Sequence, residues 1–438
     1  MKRVRTYVVL IGLLLLSLTK TALALPAVED VVMYEVNPRA FSDSGDLHGV
    51  TESLDRIAGL GANVIWLMPI HPIGQERSVG GLGSPYSVRD YLAVNPELGD
   101  LDDLRELINA AHERDIAVIL DWVANHTAWD HAWVAAHPDW YTKDEAGDIT
   151  HPPGTNWLDV ADLNYDSPAL RQGMINAMIY WVCDVGVDGF RCDFSDGVPI
   201  DFWQDAIEQV RASVDRSVLM LAEGTRPENL THAGFDLNYD WSFYDALKKV
   251  FVESQPPSLI LRTHAERYRG LPAGRHWLRW TSNHDQHAWD ASPIEIFEGE
   301  EASLAAFAAA LYVGGVPLIY NGQEIGVAET ISFFERASID WSVDAGLRER
   351  YIQLIESYNA HPVLRNGRLT NLSNQDVLAF VRYEGDQRAL ILINTRPKPS
   401  DITLPWSRSW LNRFSGELTE IPRRLSLDPH EIRLLIQP

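Results

Sequence analysis

Cysteine is nearly absent from this chain. Two residues in 438, Cys183 and Cys192, cannot build a disulfide framework, and their spacing matches no metal-binding motif. Basic charge is short as well. Lys and Arg number 37 against 61 Asp and Glu, a formal net charge of -24. That excludes the basic patches that nucleic acids and anionic membranes require, and it suits a neutral substrate. A long apolar run is missing too. The N-terminal run from Val8 to Leu18 falls short of the roughly 18–20 residues that span a bilayer. No Gly-rich phosphate loop follows the first apolar run, which argues against a doubly wound nucleotide-binding sheet.

What the N-terminus does contain is a leader pattern. Lys2, Arg3 and Arg5 precede the apolar run, and Ala22-Leu-Ala24 follows it, as in a secretory signal peptide cut after Ala24. The expectation is therefore a signal peptide over 1–24, a secreted or periplasmic protein, and no membrane insertion once the leader is removed. No Cys stands at the cleavage point, which argues against a lipoprotein.

With 46% hydrophobic residues and 438 positions, the chain can bury a large barrel and an appendage. Short β-rich runs at 31–36, 63–68, 116–121, 188–192, 218–222, 235–239, 276–281 and 316–320 alternate with helical patterns. Those patterns lie near 50–60, 101–113, 168–182, 200–213, 242–269, 303–312 and 345–360. Eight strands in βα alternation predict a closed α/β architecture, a (β/α)8 TIM barrel over 25–126 and 167–362. Residues 127–166 form an inserted loop subdomain after the third strand. It carries Trp129, Trp133, Trp140, Tyr141 and Trp157, each equally a sugar platform or a core residue. From about 366 to 438 the pattern becomes a small all-β domain, with strands at 377–383, 388–394 and 431–436.

Acids stand just past several of these strands: Asp121, Asp193, Glu223 and Asp285, with Arg191, His126 and His284 nearby. One acid at a strand end is usually a helix cap. Four of them, aimed by a barrel into one cleft, are hard to explain as caps. Cleaving a glycosidic bond needs an attacking carboxylate, a protonated carboxyl for the leaving oxygen, and groups that hold the sugar. Cys192, between Arg191 and Asp193, points the other way along the strand into a packing layer. A buried free thiol is the plain expectation there, and a bond to Cys183 the alternative.

The segments Asp121-Trp-Val-Ala-Asn-His126, Gly189-Phe-Arg-Cys-Asp193, Ala222-Glu223 and Asn283-His-Asp285 resemble the core motifs of the α-amylase family of glycoside hydrolases, family thirteen. Gly83-Ser-Pro-Tyr86, Ala161-Asp-Leu-Asn164 and Gly315 to Glu324 extend the likeness. The resemblance implies Asp193 as nucleophile, Glu223 as general acid and then base, and Asp285 as the group that favours the distorted sugar. Tyr86, His126, Arg191 and His284 would bind substrate or tune the carboxylates, with Arg191 keeping Asp193 ionised. Asp121 would support this shell. Retention of configuration follows, with carboxyls about 5–5.5 Å apart.

The resemblance fails at Phe194-Ser-Asp-Gly197, where many family members have Lys-His, so recognition beyond the cut is open. No cofactor is needed for the chemistry. A structural calcium is possible at Asn125 and Asp162, with Gly197 where the family's His offers a backbone oxygen; the metal ligands stay unassigned. Sequons at Asn125, Asn229 and Asn371 read as chance. The implied function is retaining hydrolysis of α-1,4-glucosidic bonds in an α-glucan partner, starch or maltooligosaccharide. An α-glucosidase, cyclomaltodextrinase or transglycosylase is the alternative, and a non-catalytic glucan-binding protein the remote one.

Overall fold

The computed structural model describes residues 23–343 and 346–438. All but the last two positions of the expected leader lie outside the described residues. Eight strands form the centre: β1 (Met33–Val36), β2 (Val64–Leu67), β3 (Ala117–Val123), β4 (Gly189–Asp193), β5 (Leu219–Ala222), β6 (Leu237–Tyr239), β7 (His276–Arg279) and β8 (Val316–Tyr320). They pair in parallel in chain order, and β1 closes on β8. Each lies within about two residues of its sequence expectation, the usual uncertainty of element ends. Every residue of β3, Ala-Val-Ile-Leu-Asp-Trp-Val, is buried, as a strand covered on both faces must be.

Period-two alternation sorts the strand residues into two layers. Met33, Val64, Ile119, Leu221, Leu237, Leu278 and Leu318 fill the barrel. Tyr34, Ile65, Val118, Phe190, Cys192 and Met220 face the helices. Cys192 is thus a buried free thiol and Cys183 an exposed one, so the alternative of a disulfide between them is not realised. Each fully buried aliphatic side chain contributes about 1.5–3 kcal/mol. This apolar lower barrel offsets the cost of the charged layer above it.

The helix expected over 242–269 is two helices, Trp241–Phe251 and Ser258–Arg267. Pro256 and Pro257 divide them, because proline has no N–H to donate and clashes with the preceding turn. The 50–60 stretch likewise divides into Leu47–Glu52 and Leu54–Leu60. The helix Glu300–Val313 is buried from Ala302 to Val313, since its small, Ala-rich faces are covered by neighbouring helices and by the C-terminal sheet. Among the described residues no helix is long and apolar enough to cross a membrane.

The insertion after β3 carries a short ribbon, His126–Ala128 paired with Val160–Asp162. Trp129, Trp140 and Tyr141 are buried in the main core and Trp133 packs against it, while Trp157 lines a cleft. The C-terminal region is a six-stranded antiparallel sheet with a separate two-stranded ribbon. It contains the three expected strands and five more, each only four or five residues long and rich in polar side chains, too short to stand out in the sequence. Two buried arginines fasten it to the barrel. Arg382 donates to the carbonyls of Tyr312 and Val313, and Arg396 to those of Val250, Ser254 and Gln255.

Candidate active site

The C-terminal ends of the barrel strands open into a cleft of about 540 Å³. Tyr86, His126, Asp193, Glu223, His284 and Asp285 line it, with Trp157, Phe194, Trp289, Phe333 and Phe334 as aromatic walls. Six of the seven site residues named from the sequence therefore share one surface. The seventh, Arg191, is fully buried beneath it and is not a wall residue. It faces the protein carboxylates around it rather than the cleft, so it acts on substrate only through them.

Strand register explains the arrangement. Asp121 on β3 stands beside Arg191 on β4, and Val123 beside Asp193; Asp121, Arg191 and Asp193 all lie on the inward phase of their strands. Arg191 Nη1 donates to Asp121 Oδ1 at 2.9 Å and to Asp193 Oδ1 at 2.8 Å. Its Nη2 lies 3.0 Å from Glu223 Oε2 as an ion pair, without hydrogen-bond alignment. Its Nε donates to Tyr239 Oη at 3.2 Å. One guanidinium thus faces three carboxylates. Such a cluster is stable only when each charge is paired and hydrogen-bonded.

A second chain of hydrogen bonds runs through His284. Its Nδ1 donates to Glu35 Oε1 at 2.5 Å, and its Nε2 sits 2.7 Å from Tyr86 Oη. Tyr86 Oη donates in turn to Asp121 Oδ2 at 3.2 Å, which also accepts from Trp66 Nε1 at 3.1 Å. Burial lowers the His284 pKa, but Asp285 and Glu35 outweigh it and hold the imidazolium at about 9. His126 lacks such a carboxylate, and burial pushes it down to about 4, so at neutral pH it presents a neutral ring.

Burial raises the Asp193 pKa and Arg191 opposes it, leaving it at about 6. Sequence reasoning expected Arg191 to keep Asp193 fully ionised. The guanidinium does pull that way, but it is shared with Asp121 and Glu223, and the carboxylates raise one another. Burial raises Glu223 to about 7 against the same guanidinium, the direction a general acid requires. Asp285, past the end of β7, places Oδ1 3.6 Å from His284 Nε2.

Glu35, Trp66 and Tyr239 were not singled out from the sequence. Glu35 was findable: it is an acid on the apolar strand Met-Tyr-Glu-Val, on the inward phase set by Met33. Phe333 and Phe334 carry no such signal, because they sit in an aperiodic loop. For calcium, the structure sets Asn125 Oδ1 against Gly197, 2.4 Å from where a Cβ would stand. Asp162 faces His126 across the ribbon. Asn125, Asp162 and one backbone oxygen would supply three of the roughly 6–8 oxygens that calcium takes. Among the described residues no group of three or more His, Cys, Asp and Glu forms a metal cluster. The Asn125 and Asn229 side chains are buried, which leaves Asn371 as the accessible sequon.

The profile of the family described as "Alpha amylase, catalytic domain" matches residues 33–159 and 155–356. The chain is 27% identical over 410 residues to the alpha-amylase MalA of Haloarcula japonica, a match that covers 89% of this chain and 59% of that protein. It is 35% identical over 408 residues to the trehalose synthase/amylase TreS of Mycolicibacterium smegmatis, covering 72% of this chain and 66% of that one. This chain thus spans less than two thirds of the length of these relatives. A solved alpha-amylase of Lactobacillus plantarum superposes with a TM-score of 0.84 at 28% identity, over 94% of this chain and all of that one. Profile, relatives and superposed structure agree with the carboxylate cleft, and the chain belongs to the α-amylase family of glycoside hydrolases.

Proposed function

We propose that this enzyme hydrolyses α-1,4-glucosidic bonds in starch-type glucans and maltooligosaccharides, with retention of anomeric configuration. The observation that carries the reading is the pair Asp193 and Glu223 in one cleft, both in contact with Arg191. Asp193, hydrogen-bonded through one oxygen to Arg191, keeps its other oxygen for attack on the anomeric carbon. Glu223, about half protonated near pH 7, gives its proton to the leaving oxygen as the bond breaks. The glycosyl-enzyme ester then meets water, which Glu223, now ionised, deprotonates, and Asp193 is released. Asp285 accepts hydrogen bonds from sugar hydroxyls, and charged His284 stands beside it, held by Glu35 and Tyr86. The aromatic walls cover the apolar faces of the sugar.

Proton NMR of the first product from maltoheptaose tests retention. The α-anomer is expected first; an initial β-anomer overturns the mechanism. Product time courses on starch, maltoheptaose, cyclodextrin and pullulan test the substrate. Transglycosylation or isomerisation is the second reading, favoured by the match to a trehalose synthase/amylase; accumulation of longer oligosaccharides or of trehalose from maltose would establish it. Export is a proposal as well, resting on the leader pattern, and a mature N-terminus at Leu25 in culture medium would support it.

The two carboxyls predict a bell-shaped dependence of kcat/KM on pH. The acid limb, near 6, reports ionisation of Asp193, and the alkaline limb, near 7, loss of the Glu223 proton. A rate flat from about pH 5 to about pH 9 would contradict these roles.

A further inference from the structure

The turn that follows the nucleophile departs from the family pattern, and while the Phe194 ring lines the cleft, the polar groups of the turn face the segment that carries the acid. Phe194 adopts the left-handed region, φ 39° and ψ 46°, uncommon for a bulky residue. That conformation points its backbone N–H at Glu223 Oε2, 2.8 Å away. Ser195 is fully buried. Its N–H and its hydroxyl both donate to the Glu223 carbonyl, at 2.9 and 2.8 Å. Asp196 Oδ2 accepts from the Thr225 N–H at 2.6 Å and from its hydroxyl at 2.8 Å. Asp196 Oδ1 accepts from Asn229 Nδ2 at 3.0 Å and faces Arg226 Nε at 3.0 Å.

Three successive residues after Asp193 thus hold Glu223 and Thr225, just past the end of β5. Gly224 lies between Glu223 and Thr225, and a Cβ there would stand 2.2 Å from Asp196 Oδ1, so the two segments are in close contact. We propose that Asp196 is a positioning residue for the general acid: by anchoring Thr225 through two hydrogen bonds, it holds the β5 end so that the Glu223 carboxyl meets the Phe194 N–H and Arg191. This position fixes the geometry between nucleophile and acid.

This inference rests on the reading of Glu223 as general acid, and the test separates the two. Fluoride leaves without a proton, whereas methanol does not. The kcat/KM for α-maltosyl fluoride and for methyl α-maltoside reports only steps through departure of the leaving group. Asp196→Ala is expected to lower kcat/KM about 10²-fold on the methyl glycoside, as for a misplacement of about 1 Å, with little change on the fluoride. The alkaline limb of the pH profile should move, and Asp196→Asn should recover part of the loss. Thr225→Val removes one of the two hydrogen bonds from an exposed side chain and should show the same selectivity in smaller measure, even if Asp196→Ala does not fold.

Equal losses on both substrates, with the pH profile unmoved, would make Asp196 merely structural and overturn the proposal. Glu223→Gln is the reference. If it fails to discriminate between the two substrates, the reading of Glu223 itself falls. If it discriminates and the Asp196 and Thr225 variants do not, only the positioning role falls.

Discussion

Asp193→Asn is expected to lower kcat by about 10⁴-fold while leaving the circular dichroism of the protein unchanged. The amide keeps the shape and the hydrogen bond toward Arg191 but cannot attack the anomeric carbon. Acid quenching of the wild-type enzyme during turnover of a slow glycosyl fluoride should yield a glycosylated peptide containing Asp193, and the variant should yield none. An adduct on another residue, or turnover within tenfold of wild type, would reject the nucleophile assignment.

The same substitution has a stability consequence of opposite sign. The folded pKa of Asp193, about 6, lies above the unfolded value of about 3.9. Between these values the folded state keeps a proton that the unfolded state has lost, so stability falls as pH rises through this window. Above about pH 6 the full cost is present, on the order of 1–3 kcal/mol. Asp193→Asn should therefore melt at a higher temperature than wild type at pH 8, and the difference should shrink toward pH 4. A site built for catalysis commonly carries such a cost.

Arg191→Met is the second large effect, and it acts in the other direction. The methionine roughly matches the stem of the arginine but leaves Asp121, Asp193 and Glu223 together without their cation. Removing one partner of a buried ionic cluster costs about 3–5 kcal/mol, which should appear as a lower urea midpoint at an unchanged slope. Asp193 and Glu223, both held down by Arg191 against burial, should titrate higher, so whatever activity remains should shift to higher pH. The destabilisation should be smaller at low pH, where the carboxyls are neutral. Near-wild-type stability at pH 8 would show that the cluster does not depend on its cation.

The strands and the roles of their ends were legible for a local reason. A strand buried on both faces reads as a short apolar β-branched run, and a charged residue at its end stands out against it. Asp121, Asp193, Glu223 and Asp285 were visible in this way, and alternation alone sent Cys192 away from Asp193. The break at Pro256-Pro257 is equally local, since two prolines close one helical pattern before the next begins. Glu35 was within reach of the same alternation, whereas Phe333 and Phe334 were not, since nothing local ties an aperiodic loop to a cleft built by other strands.

By itself, then, the sequence determined the barrel, the order of its strands and which acids reach its catalytic end, because those follow from a period of two and from chain connectivity. Only the tertiary structure decided that Arg191 is buried beneath the cleft and shared among three carboxylates, since pairing across β3, β4 and β5 brings together groups far apart in the chain. It also decided that Asp285 and Glu35 hold His284 charged and that Asp196 turns toward Thr225. Burial and neighbouring charge set how each carboxylate titrates, and both are properties of the folded neighbourhood.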